Sequence, residues 1–108
     1  MARSEHYLMF LPASVPPMLA RARVVFRGRV QGVYFRANCQ QKADELGIRG
    51  FVRNRQDGLV EAVFEGEKAV VEACIEWNTS RQPHARVDRS DVTWEDPTGE
   101  FVEFEVRH

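Results

Sequence analysis

Cysteine and histidine, the residues most used in metal and nucleophile sites, are scarce in this chain of 108 residues. Its two cysteines, Cys39 and Cys74, stand 35 positions apart, and its three histidines lack the spacing of a metal site. Two cysteines cannot build a zinc ribbon or a disulfide-rich scaffold. A cysteine phosphatase would need an arginine six residues after the nucleophile, and neither cysteine has one. We expect both thiols to be core residues, the site to hold no metal or cofactor, and the protein to be cytoplasmic.

The sequence also lacks a long apolar run. None approaches the roughly 18 residues that a membrane-spanning helix needs, which excludes an integral membrane protein of that kind. Residues 1–20 contain Pro12, Pro16 and Pro17, and Glu5 near their start argues against a signal peptide. We expect these residues to form a flexible extension, with Met18 as an alternative start, and residues 21–108 to form one domain.

The formal net charge of −1 conceals an uneven distribution of charge. Residues 21–55 hold nine basic and two acidic residues, whereas residues 56–108 hold thirteen acidic and five basic ones. Such a division can present a positive face to an anion, either a nucleic acid or a small phosphate compound. Solvated strand faces rich in arginine explain the same charges equally well, and both interpretations stay open at this point.

The apolar pattern predicts strands and helices in alternation. Ala22, Val24 and Phe26 alternate with arginines and predict a strand that ends at Gly28. A helical face from Phe35 to Leu46 is followed by a glycine in the C′ position. Strands are predicted at residues 48–53 and 59–65 around an Asp-Gly turn, a helix at residues 67–80, and strands at residues 87–94 and 101–107.

This order, β-α-β-β-α-β plus a C-terminal strand, predicts an α+β fold of the ferredoxin-like, split β-α-β type. Right-handed crossovers would give a mixed or antiparallel sheet with two helices on one face. The fold alone does not identify a function, because it supports many unrelated activities.

The segment that joins the first strand to the first helix carries the strongest functional signal. No Ser, Thr, Asp or Asn stands between Gly28 and Phe35 to cap the helix, and Arg36 lies in its first turn, where the helix dipole disfavours a cation. An external anion bound to the free N–H groups and to the guanidinium would explain both features. We expect Gly28 and Gly32 to let the backbone adopt positive φ and come close to such a ligand. The alternative is a tight connecting turn with Arg36 in solvent. The Gly-Lys-Ser/Thr ending of a nucleotide-binding P-loop is missing.

Two segments resemble the signatures of the acylphosphatase family. Gly28-Arg29-Val30-Gln31-Gly32-Val33-Tyr34-Phe35-Arg36 resembles G-x-V-Q-G-V-x-F-R. Gly50-Phe51-Val52-Arg53-Asn54, with Asp57-Gly58 and Val60-Glu61, resembles G-(W/F)-V-x-N-x-x-D-G-x-V-E. The resemblance extends over residues 21–107.

This resemblance implies hydrolysis of the carboxyl–phosphate bond of acylphosphates by direct attack of water, without metal, cofactor or covalent intermediate. Arg36 would bind the phosphate together with the backbone of Arg29, Val30, Gln31, Gly32, Val33, Tyr34, Phe35 and Arg36 itself. Asn54 would orient the water, although turn chemistry alone also explains an asparagine there. The implied partners are a small acylphosphate and inorganic phosphate, with no nucleic acid and no membrane, and we expect a monomer.

Two other function classes remain as alternatives. A binding module of this fold could hold RNA on its sheet, but the first strand buries its only aromatic residue, Phe26, and no paired aromatic motif is present. An acylphosphatase-like domain could also serve a larger machine, such as the hydrogenase-maturation carbamoyltransferases. The end of the chain at His108 disfavours that alternative.

Overall fold

A five-stranded sheet and two helices make up the computed structural model, which describes residues 18–108. The elements are β1 (Leu19–Arg29), α1 (Phe35–Leu46), β2 (Arg49–Asn54), β3 (Val60–Glu67), α2 (Lys68–Ser80), β4 (Arg86–Glu95) and β5 (Phe104–Arg107). The strand order is β4-β1-β3-β2-β5. All neighbours are antiparallel except β2 and β5, which are parallel. The predicted ferredoxin-like fold with a mixed sheet is confirmed.

The main core lies between the sheet and the helices. Alternate residues of β1 and β3 meet the inward faces of both helices, and the largest fully buried side chains are Phe26, Phe35 and Phe64. The ring centroids of Phe26 and Phe35 are 5.0 Å apart, so the first turn of α1 is packed directly on β1. The predicted burial of both cysteines is also confirmed, since Cys39 and Cys74 are fully buried and unpaired.

The helix ends follow the signals in the sequence. Gly47 closes α1 with φ 70° and hydrogen bonds from backbone N–H groups to the last turn. Glu67 caps α2 by accepting a hydrogen bond from the N–H of Val70 at 3.2 Å. The hairpin at Asp57 and Gly58 also forms as predicted and pairs Asn54 with Val60.

The strand predicted at residues 101–107 is shorter in the structure, because β5 begins at Phe104. The chain between β4 and β5 must pass from one edge of the sheet to the other, and it crosses the face opposite the helices. Thr98 donates from its backbone to Glu65 on β3, and the ring centroid of Phe101 lies 6.0 Å from that of Phe51 on β2. Residues 101–103 therefore belong to a crossing segment, which the alternation of apolar residues does not reveal.

Residues 1–17, which include most of the predicted extension, lie outside the described residues. Leu19 and Ala20 pair with Glu67 and Gly66 of β3, so β1 begins two residues before the predicted domain boundary. The division into an extension and a domain stays a prediction.

Candidate active site

The segment between β1 and α1 is anchored to the core by three side chains. Val30 is 1% exposed and Val33 is 6% exposed, and Phe35 starts α1 against Phe26. Because these three residues point inward, the backbone between them turns toward solvent. The anchoring explains how a short loop with a glycine in it can keep a fixed shape.

Gln31 ties this loop to the β2–β3 hairpin. Its side-chain Nε2 donates to the carbonyl of Arg55 at 2.8 Å and to the carbonyl of Leu59 at 2.9 Å. Both acceptors lie just beyond Asn54 in the chain. The two segments with the family signatures are thus held together by a side chain from the first.

The backbone of the loop is shaped to present N–H groups. Gly32 has φ 72° and Tyr34 has φ 60°, and Tyr34 is the N-cap of α1 without any capping hydrogen bond from its side chain. Within residues 18–108, no acceptor contacts the backbone N–H groups of residues 32–37. Left-handed residues beside a free helix start form a concave array of donors that suits an anion. Tyr34 is 77% exposed, so its side chain does not explain the strained conformation.

Gly28 serves a different purpose from the one that the loop pattern suggested. We expected both glycines of the loop to let the backbone approach a ligand. Gly28, however, lies in β1 at a bulge, and a Cβ there would sit 2.2 Å from the carbonyl oxygen of Arg86 on β4. The close neighbour is a strand of the protein itself, whereas the space around Gly32 is open within 4 Å.

Arg36 lies in the first turn of α1, as predicted, and its guanidinium is held at one side of a cleft. Its Nη1 donates to the carbonyl of Arg107 at 3.0 Å and lies 3.2 Å from Nδ1 of His108. No carboxylate of residues 18–108 forms an ion pair with it, and the first turn of α1 contains no acidic residue. The positive charge is therefore positioned but not neutralised by the part of the chain that the structure describes.

Asn54 lies at the end of β2 and faces the same cleft. The cleft has a volume of about 470 Å³ and is lined by Val30, Gly32, Tyr34, Phe35, Arg36, Ala37, Gln40, Asn54, Val106 and His108. Six of these residues belong to the predicted set. Arg29, Gln31 and Val33 belong to the predicted set but do not line the cleft: Val33 is buried, Gln31 holds the hairpin and Arg29 is exposed.

Sequence reasoning missed the far wall of the cleft. Val106 and His108 reach it because β5 pairs in parallel with β2, a pairing between distant segments that no local pattern encodes. Gln40 could have been found, since it stands four residues after Arg36 and shares its helical face. Its Nε2 donates to the carbonyl of Phe104 at 3.2 Å and so links α1 to β5.

The arginines of residues 21–55 do not form the positive face that their number suggested. On the sheet face opposite the helices, Arg21 pairs with Glu65, Glu95 and Glu100, and Arg23 pairs with Glu61 and Glu95. Arg27 and Arg53 are likewise paired, with Asp91 and Glu61. The aromatic rings of this face, Phe51 and Phe101, are at most 7% exposed. These four arginines are thus paired with carboxylates, and the two rings leave little surface on which a base could stack.

The described region carries neither a metal-binding cluster nor a membrane-spanning helix. Residues 18–108 contain no group of three or more His, Cys, Asp or Glu side chains placed to hold a metal ion. Neither helix of this region is long and apolar enough to cross a membrane.

Comparison with known proteins agrees with the motifs. A model of the acylphosphatase family matches residues 22–106. An acylphosphatase of Roseiflexus sp. (strain RS-1) is 52% identical over 88 residues, which are 82% of this chain and 95% of that protein. One of Pyrobaculum calidifontis is 47% identical over 89 residues, 82% of this chain and 81% of that protein.

Two solved structures share the fold over most of this chain. The crystal structure of the acylphosphatase from Bacillus subtilis matches with a TM-score of 0.79 at 33% identity, over 84% of this chain and 100% of that one. Full-length HypF in the phosphate- and nucleotide-bound form matches with a TM-score of 0.76 at 26% identity. That match covers 88% of this chain and 12% of HypF.

Proposed function

This chain belongs to the acylphosphatase family, enzymes that hydrolyse the carboxyl–phosphate bond of acylphosphates, and we propose that Arg36 holds the phosphate while Asn54 orients the attacking water. One observation carries the proposal. An arginine without a carboxylate partner, a run of backbone N–H groups without acceptors, and a side-chain amide, all within residues 18–108, border one cleft.

The phosphate group would lie at the start of α1. Its oxygens would accept hydrogen bonds from the N–H groups of the loop, and the positive end of the helix dipole would favour its charge. The guanidinium of Arg36 has further N–H groups besides the one on Arg107, and these can hold one or two phosphate oxygens. Such fixed donors stabilise the charge that develops on the equatorial oxygens during phosphoryl transfer.

The attacking water would lie against Asn54. The carbonyl of a neutral amide accepts one water proton, which directs an oxygen lone pair at phosphorus. The amide NH₂ can donate to a phosphoryl oxygen at the same time. Because Gln31 ties the loop to the hairpin that follows Asn54, the distance between the bound phosphate and the amide is constrained by the fold.

The bond that breaks needs little help from the protein. Water attacks phosphorus, the bond from phosphorus to the acyl oxygen breaks, and the carboxylate leaves with the electron pair. The water proton passes to an oxygen of the phosphate product. A carboxylate is a good leaving group, so positioning and charge stabilisation account for the catalysis.

The remaining expectations extend this proposal. Inorganic phosphate would bind the cleft as product and competitive inhibitor, and no metal would be required. The chain would act as a monomer in the cytoplasm, where its two buried and unpaired thiols would stay reduced.

The proposal is tested by hydrolysis of benzoyl phosphate in the presence of a chelator, with wild type, Arg36→Ala and Asn54→Ala. Arg36→Ala should lose at least about a hundredfold in kcat/KM, since it removes charged donors from the transition state. It should also lose competitive inhibition by inorganic phosphate. Arg36→Lys should recover part of the inhibition, because it restores the charge without the planar fork.

Asn54→Ala should separate turnover from binding. We expect a fall in kcat of about a hundredfold with an inhibition constant for inorganic phosphate close to that of wild type. Arg49→Ala is the matched control, because Arg49 is exposed at the opposite end of β2 and should leave both quantities unchanged. Full activity of Arg36→Ala or Asn54→Ala would remove that residue from its role.

A further inference from the structure

A pair of buried side-chain amides connects the end of α2 to the start of α1. Asn78 is fully buried and Gln82 is 8% exposed, although both are strongly polar. Asn78 lies in the last turns of α2, and Gln82 follows the helix in the connection to β4. Neither residue belongs to the two signature segments or lines the cleft.

Hydrogen bonds fix the orientation of both amides. Nδ2 of Asn78 donates to the carbonyl of Cys74 at 2.8 Å, which turns its Oδ1 toward Gln82. Nε2 of Gln82 donates to that Oδ1 at 2.8 Å and to the backbone carbonyl of Phe35 at 3.0 Å. The reversed orientation would place Oε1 of Gln82 against two oxygens, so the assignment of its nitrogen follows from its partners.

The other end of the Gln82 amide makes no hydrogen bond that would explain a polar residue at this position. Its Oε1 is buried and accepts no hydrogen bond from the described residues. An unsatisfied buried acceptor destabilises the folded state, whereas an apolar side chain of similar shape would avoid that cost. The role of Gln82 is therefore to be sought in the contact that its NH₂ group makes with Phe35.

The carbonyl of Phe35 has a direct relation to the proposed phosphate site. It belongs to the same planar trans peptide as the N–H of Arg36, so the two groups point in opposite directions. The carbonyl accepts the helical hydrogen bond from four residues further on, and Gln82 is a second donor to it. Two donors hold the carbonyl, and with it the direction of the N–H, more firmly than one. The N–H of Arg36 is one of those at the start of α1 without an acceptor from residues 18–108. A hydrogen bond to the carbonyl also polarises the peptide and strengthens the N–H as a donor.

We propose that Gln82 is a positioning residue for phosphate binding. Supported by Asn78, it holds the Phe35–Arg36 peptide so that the N–H of Arg36 points into the cleft and binds a phosphate oxygen strongly. This inference rests on the proposed function of the cleft. It gives a role in phosphate binding to a residue that lies outside both signature segments and does not line the cleft.

The test compares phosphate binding with stability in Gln82→Met, which keeps an unbranched side chain of similar length but has no donor. We expect the inhibition constant for inorganic phosphate and KM for benzoyl phosphate to rise together, by about threefold to tenfold. This is the change expected when the net contribution of about one hydrogen bond to binding is lost. The urea midpoint should fall as well, because Oδ1 of Asn78 is buried and loses its donor. The inhibition constant is therefore measured on the folded variant, well below its urea midpoint. Gln82→Leu serves as a second variant if Gln82→Met does not fold.

Thr79→Val is the matched control. It removes hydrogen bonds of the Thr79 hydroxyl to Ile75 and Ser90 from the same end of α2, away from the cleft. It should leave the inhibition constant unchanged even where the urea midpoint falls. An unchanged inhibition constant in folded Gln82→Met would overturn the inference and make the amide pair purely structural. Failure of the proposed function would differ, since wild type would then show no phosphate inhibition that depends on Arg36.

Discussion

At the scale of single residues, two glycines of one motif have different structural roles. Gly28 and Gly32 are four residues apart and both have positive φ. The sequence alone assigns both to the ligand, because an anion loop needs backbone freedom and close approach. The structure places β4 against Gly28 and open space around Gly32. Which neighbour a glycine meets depends on strand pairing, and this information is absent from the local sequence.

Gly28→Ala should therefore destabilise the fold through a steric clash with β4. The new Cβ would meet the Arg86 carbonyl at 2.2 Å and the Asp88 nitrogen at 2.9 Å, in addition to the strain of φ 131°. We expect a loss of more than about 2 kcal/mol in the free energy of unfolding, measured with urea.

Gly99→Ala is the control for strain alone. Gly99 has φ 70°, and a Cβ added there would meet no atom of the described residues within 4 Å, so this change should cost only about 1 kcal/mol. Equal losses in the two variants would contradict the assignment of Gly28 to the β1–β4 contact.

At the scale of elements, the sequence predicts the bounds of helices and the position of a hairpin, but it does not predict pairing between strands that are distant in the chain. The bounds of α1 follow from its inward face and from Gly47, and the β2–β3 hairpin follows from Asp57 and Gly58. The length and pairing of β5 do not, because the crossing segment before it carries an apolar residue, Phe101, that continues the strand pattern. The same limit applies to the site. The motif predicts the part of the cleft at the start of α1, but it does not predict the wall that β5 supplies.

The inward faces of the two helices should make both thiols inert. Burial raises the pKa of the Cys74 thiol to about 12, against smaller opposing effects of Asn78 and Lys42, and burial raises the pKa of Cys39 well above its usual range. Both thiols should thus stay protonated at pH 8. Native protein should resist iodoacetamide and keep full acylphosphatase activity, whereas protein in urea should be alkylated at both cysteines, as mass spectrometry would record. Rapid alkylation of the native protein with loss of activity would refute this.

At the scale of the whole molecule, the uneven charge of the sequence is resolved by folding. The arginines of β1 and β2 lie opposite the carboxylates of β3, β4 and the crossing segment, and the two halves of the chain neutralise each other across the sheet. Arg36 stands outside this arrangement, on the helix side. A charge count therefore located the basic half of the chain correctly but could not separate the arginine placed at the cleft from those paired on the open face.

This pairing gives the fold a defined dependence on pH. Burial by itself would raise the pKa of Glu61, but hydrogen bonds from Arg23 and Arg53 outweigh burial and bring the pKa below its ordinary value. Hydrogen bonds from Arg23 and Arg21 lower the pKa of Glu95 in the same way. A carboxylate with a lowered pKa in the folded state stabilises it above the unfolded pKa of about 4.3. That stability is lost as the pH falls through the folded pKa.

The urea midpoint should accordingly fall as the pH is lowered from about 5 toward 3. Glu61→Gln should lower the midpoint at pH 7 and flatten this dependence, because the group that titrates has been removed. Glu72→Gln is the matched control, since Glu72 is exposed on α2 and forms no ion pair within residues 18–108, and it should retain the wild-type slope. A Glu61→Gln protein with the wild-type slope would show that this carboxylate does not govern acid unfolding.

The parallel pairing of β5 with β2 also bears on synthesis of the protein. Ribosomes release Arg36 and Asn54 from the exit tunnel well before they release Phe104. Until residues 104–108 emerge, a nascent chain carries both signatures but lacks the Arg107 carbonyl that holds the guanidinium of Arg36. We therefore expect hydrolysis of acylphosphates only after these residues have emerged, and a product truncated before Phe104 should be inert toward acylphosphates.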